Sequence, residues 1–335
     1  MRPEDFIIRP YRPGDEFKIN EMFNEVFHQD RSIEHWCWKY RDNPYDSYKI
    51  ALAIAPDGTL AAHYGGYPLR LFLATDKKEF TVYHLGDKMT RRIYRGVGIG
   101  KNSLLSLTFR AFQDNFARDA LFGYGFGTHH SLRFGLMFLN YIDFEPVSFW
   151  RLPIERLLKG KGVSPLRQLF SLRRLKQVKE IDVQWDEFFF TVAPSYRLLI
   201  KRDSQYLNWR YLRRPDRQYL ILSVTKKNKL TGWSVFFREG NRLIWGDALF
   251  MPDDTGSIKA LFSYLLRDPY CQGCETIEGW FAENPQWWGQ CLKSLGFERE
   301  TEPSNLHLTG PITDPEVLTM LRQGFYYTLG DSDLF

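Results

Sequence analysis

The sequence predicts an α/β protein made of two duplicated units, and three observations carry this prediction. A chain of 335 residues exceeds the roughly 100–200 residues of one domain. Trp38-Lys39-Tyr40 recurs as Trp209-Arg210-Tyr211, a frame 171 residues along, and a period of that size means two domains rather than a solenoid. Within each frame, strand-like and helix-like patterns alternate.

The repeat orders the elements. Six residues after each tryptophan stands a proline (Pro44, Pro215), and ten after it a tyrosine (Tyr48, Tyr219) that opens an apolar run. Each run meets a turn, Pro56-Asp57-Gly58 or Lys226-Lys227-Asn228, and then a second strand, Leu60 to Leu71 or Leu230 to Phe237. In the first unit Phe80 to Met89 alternates as a further strand, with Gly86 and Asp87 marking a bulge or splay. Leu105, Phe109, Phe112 and Phe116 then share one helical face. A helix-like stretch closes each unit, on Leu139-Asn140-Tyr141 and on Leu295-Gly296-Phe297. The expected division is 1–150, a basic connector 151–195, 196–310, and a tail 311–335. Residues 151–180 hold nine Lys or Arg and two Glu, with Gly160, Gly162 and Pro165 as breakers, which suits a solvated linker. The tail has a short helix over Pro315 to Arg322 and a Phe325-Tyr326-Tyr327 run suited to docking; the carboxylates of Asp331 to Phe335 could reach across to the first unit's cleft, but a fraying acidic tail is the preferred expectation.

Composition narrows the function classes. With 44% hydrophobic residues, 27 Phe, 18 Tyr and 10 Trp, the chain can bury sizeable cores. There is no uncharged run of membrane-spanning length and no signal-like N-terminus, and four unevenly spread cysteines fit a reducing compartment, so a cytoplasmic protein is expected. A net charge of +5 is too small to argue for nucleic acid and suits an anionic cofactor. Cys271-x-x-Cys274 has no second pair beside it, so no metal is expected. The Trp36, Trp38 and Tyr40 cluster recurs at Trp209 and Tyr211, which favours core packing over ligand stacking.

The chemistry is concentrated in Arg95-Gly96-Val97-Gly98-Ile99-Gly100-Lys101, a turn between a strand and a helix. Its glycines let several N–H groups converge on one point, the helix N-terminus adds partial positive charge, and Arg95 and Lys101 add full charges: a phosphate site. It lacks the Gly-Lys-Ser/Thr ending of a Walker loop, and it lies too late in its unit for a dinucleotide fold.

Arg95-x-x-Gly98-x-Gly100, after a strand and opening a helix, resembles the pyrophosphate motif of the GNAT N-acetyltransferase superfamily. Ile8-Arg9-Pro10 and the helix after it resemble that family's first strand and helix. Leu121 to Phe126 resembles the strand that splays to admit pantetheine, and His129 to Tyr141 the next helix and its closing turn. The resemblance implies two GNAT-like domains, each a mixed twisted sheet flanked by helices. It also implies acetyl-CoA as co-substrate, held by Met89, Thr90, Arg95, Gly96, Val97, Gly98, Gly100 and Lys101. The second unit has Pro252-Asp253-Asp254-Thr255-Gly256 where the motif would fall; its acids would repel a pyrophosphate, so a degenerate copy that shapes the acceptor side is expected.

On this resemblance an amine attacks the thioester. A backbone N–H near Met89 to Arg91 would stabilise the oxyanion, and His84 or Asp87 would act as general base. The family's acid, a tyrosine, is matched by Leu136, leaving Tyr124, His129, His130 or water as proton donors; the family's proline before the motif is Arg92 here. The expected activity is N-acetyl transfer to a small amine, such as an amino sugar, by a monomer or homodimer. An inactive acyl-CoA-binding module and a tRNA-dependent aminoacyl transferase remain as alternatives.

Overall fold

The computed structural model describes residues 1–159, 173–252 and 254–335. In chain order the first strands are β1 (Ile7–Pro10), β2 (Ile50–Ile54), β3 (Leu60–Leu73), β4 (Lys78–Thr90), β5 (Gly123–Gly127), β6 (Tyr141–Pro146) and β7 (Phe149–Pro153). They are followed by β8 (Arg173–Gln177), β9 (Leu198–Ile200), β10 (Leu220–Lys226), β11 (Lys229–Glu239) and β12 (Arg242–Phe250). The last four are β13 (Thr276–Trp280), β14 (Glu298–Glu300), β15 (His307–Pro311) and β16 (Phe325–Tyr326). Five helices are named below: α1 (Asp15–Phe27), α2 (Ile33–Tyr40), α3 (Leu104–Phe112), α4 (His129–Phe138) and α5 (Ile154–Lys159).

Two mixed sheets result. The first runs β1-β2-β3-β4-β5-β15-β6, with β9 added to the far end of β3 and β16 added to β9; the second runs β14-β7-β13-β12-β11-β10-β8. The halves exchange strands. β15, from the second half, fills the space between β5 and β6, while β7, from the first half, lies between β13 and β14. The boundaries read from the sequence at 150 and 310 therefore fall inside β7 and β15. Backbone donors and acceptors choose partners by proximity in space, and here the nearest open edge belongs to the other half.

The stretch 151–195 also differs from a solvated connector. Its described residues supply the end of β7, α5, the edge strand β8 and a helix, Val183–Val192, that buries Trp185, Phe188 and Phe189. Aromatic residues in that helix outweigh the charge that suggested a linker. Gly160, Gly162 and Pro165 lie outside the described residues.

The repeated tryptophans meet at the centre. Trp38 and Trp209 stack with ring centroids 5.1 Å apart and an interplanar angle of 17°. Each indole N–H donates to the other's backbone carbonyl, Trp38 to Trp209 at 2.7 Å and Trp209 to Trp38 at 2.9 Å. The contact is reciprocal, as expected of equivalent positions about a local two-fold axis. One hydrophobic core runs through it, from Trp38 and Leu71 of the first half to Trp245 and Phe335 of the second.

The 171-residue frame extends to a buried ion pair. Arg31 pairs with Asp87 at 2.5 Å, and Arg202, in the same frame, pairs with Asp247 at 3.0 Å. Both aspartates sit at β-bulges. On β4, Asp87 and Lys88 lie between the pairs Gly65↔Gly86 and His63↔Met89; on β12, Gly246 is the extra residue, between the pairs Val235↔Asp247 and Phe236↔Trp245.

The last residues do not fray. Asp331 and Ser332 are buried, and Arg202 donates to the Asp331 carboxylate at 2.6 Å. Arg210 donates at 2.6 Å to the backbone oxygens of both Ser332 and Phe335, and Arg214 also bonds that of Phe335. Buried guanidinium groups need acceptors, and this segment supplies them. It runs between the halves and carries Asp333 to the first sheet.

Candidate active site

β4 and β5 are parallel neighbours at only two positions, Tyr83↔Gly123 and His84↔Tyr124. Beyond them the strands part: β4 continues to Thr90 along β3, while β5 turns its other edge to β15. Two cavities open where they separate. One, of about 420 Å³, is lined by Met89, Thr90, Tyr94, Arg95, Ser103 and Leu104 among others. The other, of about 690 Å³, is lined on its polar side by Arg31, Lys39, Asp87, Lys88 and Asp333, with Phe23, Phe126 and Phe134 on its apolar side. Phe27, Lys88, Leu105 and Phe134 line both.

The glycine turn stands at the outer end of the smaller cavity. Gly98 has φ +71°, and a Cβ there would lie 2.1 Å from the Asn102 carbonyl oxygen, so no larger residue fits. Gly100 has φ +58° and packs against Phe138, whereas a Cβ on Gly96 would meet nothing within 4 Å. Among the described residues, the amides of Gly96, Gly98 and Ile99 have no hydrogen-bond acceptor. Arg95 fastens the turn to β4 by donating to the Thr90 carbonyl at 3.2 Å. Val97 packs into a small core with Phe6, Tyr94 and Leu104, and Ser103 caps α3. Lys101 is exposed beside the turn. In the second half, the corresponding acid Asp254 caps its helix and pairs with Arg173 at 2.5 Å; Asp253 lies outside the described residues.

The proton-transfer candidates differ in their surroundings. Asp87 is buried between Arg31 and Lys39, whose ammonium lies 2.8 Å away. Burial acts to raise its carboxyl, but the two cations prevail and hold it far below the usual carboxylate range. A carboxylate so engaged, matched by Asp247 in the other half, is structural rather than a free base. Tyr124 is fully buried, donates to the Asp331 carbonyl at 3.2 Å and lines neither cavity, so it is poorly placed as a proton donor. His84 stacks on Tyr67, and neither ring nitrogen has a hydrogen-bond partner. Burial lowers it to about 4, against the opposing field of Asp333, so the imidazole is neutral at pH 7.

Two further groups face the larger cavity: Asp333, set aside in the sequence as part of a fraying tail, and Lys88, which the sequence reading did not single out. Asp333 bonds Lys39 at 2.9 Å and lies 3.9 Å from His84 Nε2. Its burial favours the neutral acid, yet the Lys39 ammonium overrides this and keeps it ionised well below the usual range. Lys88 follows the bulge, which turns its side chain toward the opening. The bulge was legible at Gly86 and Asp87; the docking of Asp333 depended on long-range guanidinium contacts. The Arg91 amide, a candidate oxyanion donor, is occupied by the Ala61 carbonyl. Leu136 is exposed and lines neither cavity; Phe134, one half-turn earlier, stands at their junction. Cys271 and Cys274 are buried free thiols, and the described residues contain no group of three or more metal-ligating acids, histidines or cysteines. No described helix is long and apolar enough to cross a membrane.

No protein-family model and no curated protein matches the sequence. Solved structures do match. A conserved protein of unknown function from Enterococcus faecalis V583, described as a probable N-acyltransferase, shares 10% identity over 93% of this chain and 74% of its own, with a TM-score of 0.67. A GCN5-related N-acetyltransferase from Kribbella flavida shares 11% over 91% and 71%, with a TM-score of 0.64. Saccharomyces cerevisiae N-myristoyltransferase with bound myristoyl-CoA shares 11% over 92% and 85%, with a TM-score of 0.57. The chain thus shares the fold of these structures, and the likeness extends over both halves.

Proposed function

We propose that this chain is an acyl-CoA-dependent N-acyltransferase, with acetyl-CoA as donor and a small amine as acceptor. The observation that carries the reading is the parting of β4 from β5 between a turn with free amides and a cavity holding an ionised carboxylate. The pyrophosphate would take the Gly96, Gly98 and Ile99 amides beside Arg95 and Lys101. The pantetheine arm would lie along Met89 and Thr90 in the smaller cavity. Because successive strand amides face opposite edges and Arg91 points to β3, Thr90 presents its N–H to the open side, where a thioester oxyanion would form.

Asp333, held ionised by Lys39, would draw the acceptor ammonium into the larger cavity and orient it, and the ammonium's first proton passes to solvent. Neutral His84 behind it costs no charge repulsion against the arriving cation. Titration calorimetry with acetyl-CoA and an assay of amine-dependent thiol release test the reading. We expect Asp333→Asn to keep coenzyme affinity and to lose turnover by about 10²-fold, through misplacement of the acceptor. Absence of acetyl-CoA binding by the wild-type chain would overturn the proposal.

A further inference from the structure

Acyl transfer from a thioester leaves a thiolate that needs a proton, and the groups first considered for that step do not reach it. Tyr124 is sealed in the core, the exposed His129 and His130 line neither cavity, and Leu136 cannot donate. In the proposed function the coenzyme enters through one cavity and the acceptor through the other, so the sulfur must come to rest where the two meet. Of the four residues that line both cavities, Phe27, Leu105 and Phe134 carry no exchangeable side-chain proton; Lys88 does.

From this juxtaposition we propose that Lys88 is the general acid of the reaction, delivering its ammonium proton to the coenzyme sulfur. The inference rests on the acyl-CoA reading of the same site. The bulge at Asp87 and Lys88 turns the side chain into the strand opening, where Nζ would lie 4.0 Å from a Cβ built on Gly125 of β5 and lies 5.3 Å from the centre of the Tyr141 ring. Among the described residues, no carboxylate forms an ion pair with Lys88 and no acceptor takes a hydrogen bond from it, whereas Lys39, also in the cavity, is held by both Asp87 and Asp333. Lys88 is therefore free to turn toward a ligand. Burial lowers its ammonium to about 8, with Asp333 opposing the shift across the cavity. An alkyl thiol such as that of cysteine titrates at about 8.5, so the proton would pass between groups of nearly matched acidity.

The step balances. As the amine nitrogen bonds to the acyl carbon and the carbon–sulfur bond breaks, Lys88 gives one proton to the sulfur. The nitrogen, now cationic, loses a second proton to solvent, and Lys88 regains one from solvent. The products are the amide and the free thiol, and the only net release is the proton lost when the ammonium first became an amine.

The deciding measurement needs no acceptor. Coenzyme A in its free-thiol form is bound to wild-type, Lys88→Met and Lys88→Arg chains, and the ultraviolet absorbance of the thiolate is followed against pH. A cation beside the sulfur favours the thiolate, so it should appear at lower pH on the wild type than on Lys88→Met, by about one unit, a tenfold change in thiolate at fixed pH. Lys88→Arg should keep this shift yet release thiol about 10²-fold more slowly with any amine that is turned over, because a guanidinium does not give up its proton at neutral pH. Equal thiolate titrations on wild type and Lys88→Met, with coenzyme bound to both, would overturn the role of Lys88 and leave the acyl-CoA reading standing. A wild type that fails to bind coenzyme A would instead remove that reading, and this role with it.

Discussion

Replacing Asp87 by Asn separates a structural carboxylate from a catalytic one. The side chain is 3% exposed and its partners Arg31 and Lys39 are 4% and 5% exposed, so the charge removed is one that two buried cations depend on. Breaking a buried pair in this way costs about 3–5 kcal/mol; Lys39 keeps Asp333, which places the cost near 3 kcal/mol. An unfolding entropy of about 2.1 cal/mol/K per residue gives roughly 0.7 kcal/mol/K for 335 residues, and hence a fall in Tm of roughly 4 °C. Thermal and urea unfolding followed by circular dichroism measure it, with Asp247→Asn as a comparator away from the cavities. The two variants should lose similar stability, since Arg202 likewise keeps a second carboxylate in Asp331. An Asp87→Asn chain with wild-type Tm and urea midpoint but no thiol release would refute the reasoning and make Asp87 the base.

Gly98→Ala should abolish measurable acetyl-CoA binding in calorimetry, because its Cβ would meet the Asn102 carbonyl at 2.1 Å; Gly96→Ala, with open space around it, should change affinity by about twofold or less. Trp38→Ala and Trp209→Ala should each cost about 3–5 kcal/mol, and the double variant should cost less than their sum by about 0.5–3 kcal/mol, as measured by urea unfolding. The folded-state value of Asp87 lies below its ordinary 3.8, so its contribution is complete above about pH 4 and is lost as pH falls further. The urea midpoint of the wild type should therefore fall more steeply below about pH 4 than that of Asp87→Asn.

Much of the site's scaffold was legible because its signals are local. The alternation of Phe80 to Met89 became part of β4, the Leu105, Phe109 and Phe112 face became α3, and the 171-residue frame brought Trp38 against Trp209. Extending that frame a few residues upstream, to Arg31 and Arg202, would have found the paired guanidinium groups and cast Asp87 as their counter-ion. For Asp333 the sequence offered only that an acidic tail could reach the cleft, with nothing to fix it there. Its place depends on Arg202, Arg210 and Arg214 capturing a segment more than a hundred residues away, and acidic residues near a chain end read locally as solvated. The strand exchange was hidden for the same reason, since the pattern of β15 tells which of its faces is apolar and not which sheet it joins.

That exchange bears on how the protein is made. The first sheet lacks the strand between β5 and β6 until residues 307–311 emerge, although β5 is complete by residue 127. During synthesis the amino-terminal half must wait with two open strand edges while nearly the whole chain is translated, the state in which strands pair with foreign chains. Its completion is a long-range closure, slow compared with helix formation, so the burden on the cell's holding chaperones should fall on the half that is made first.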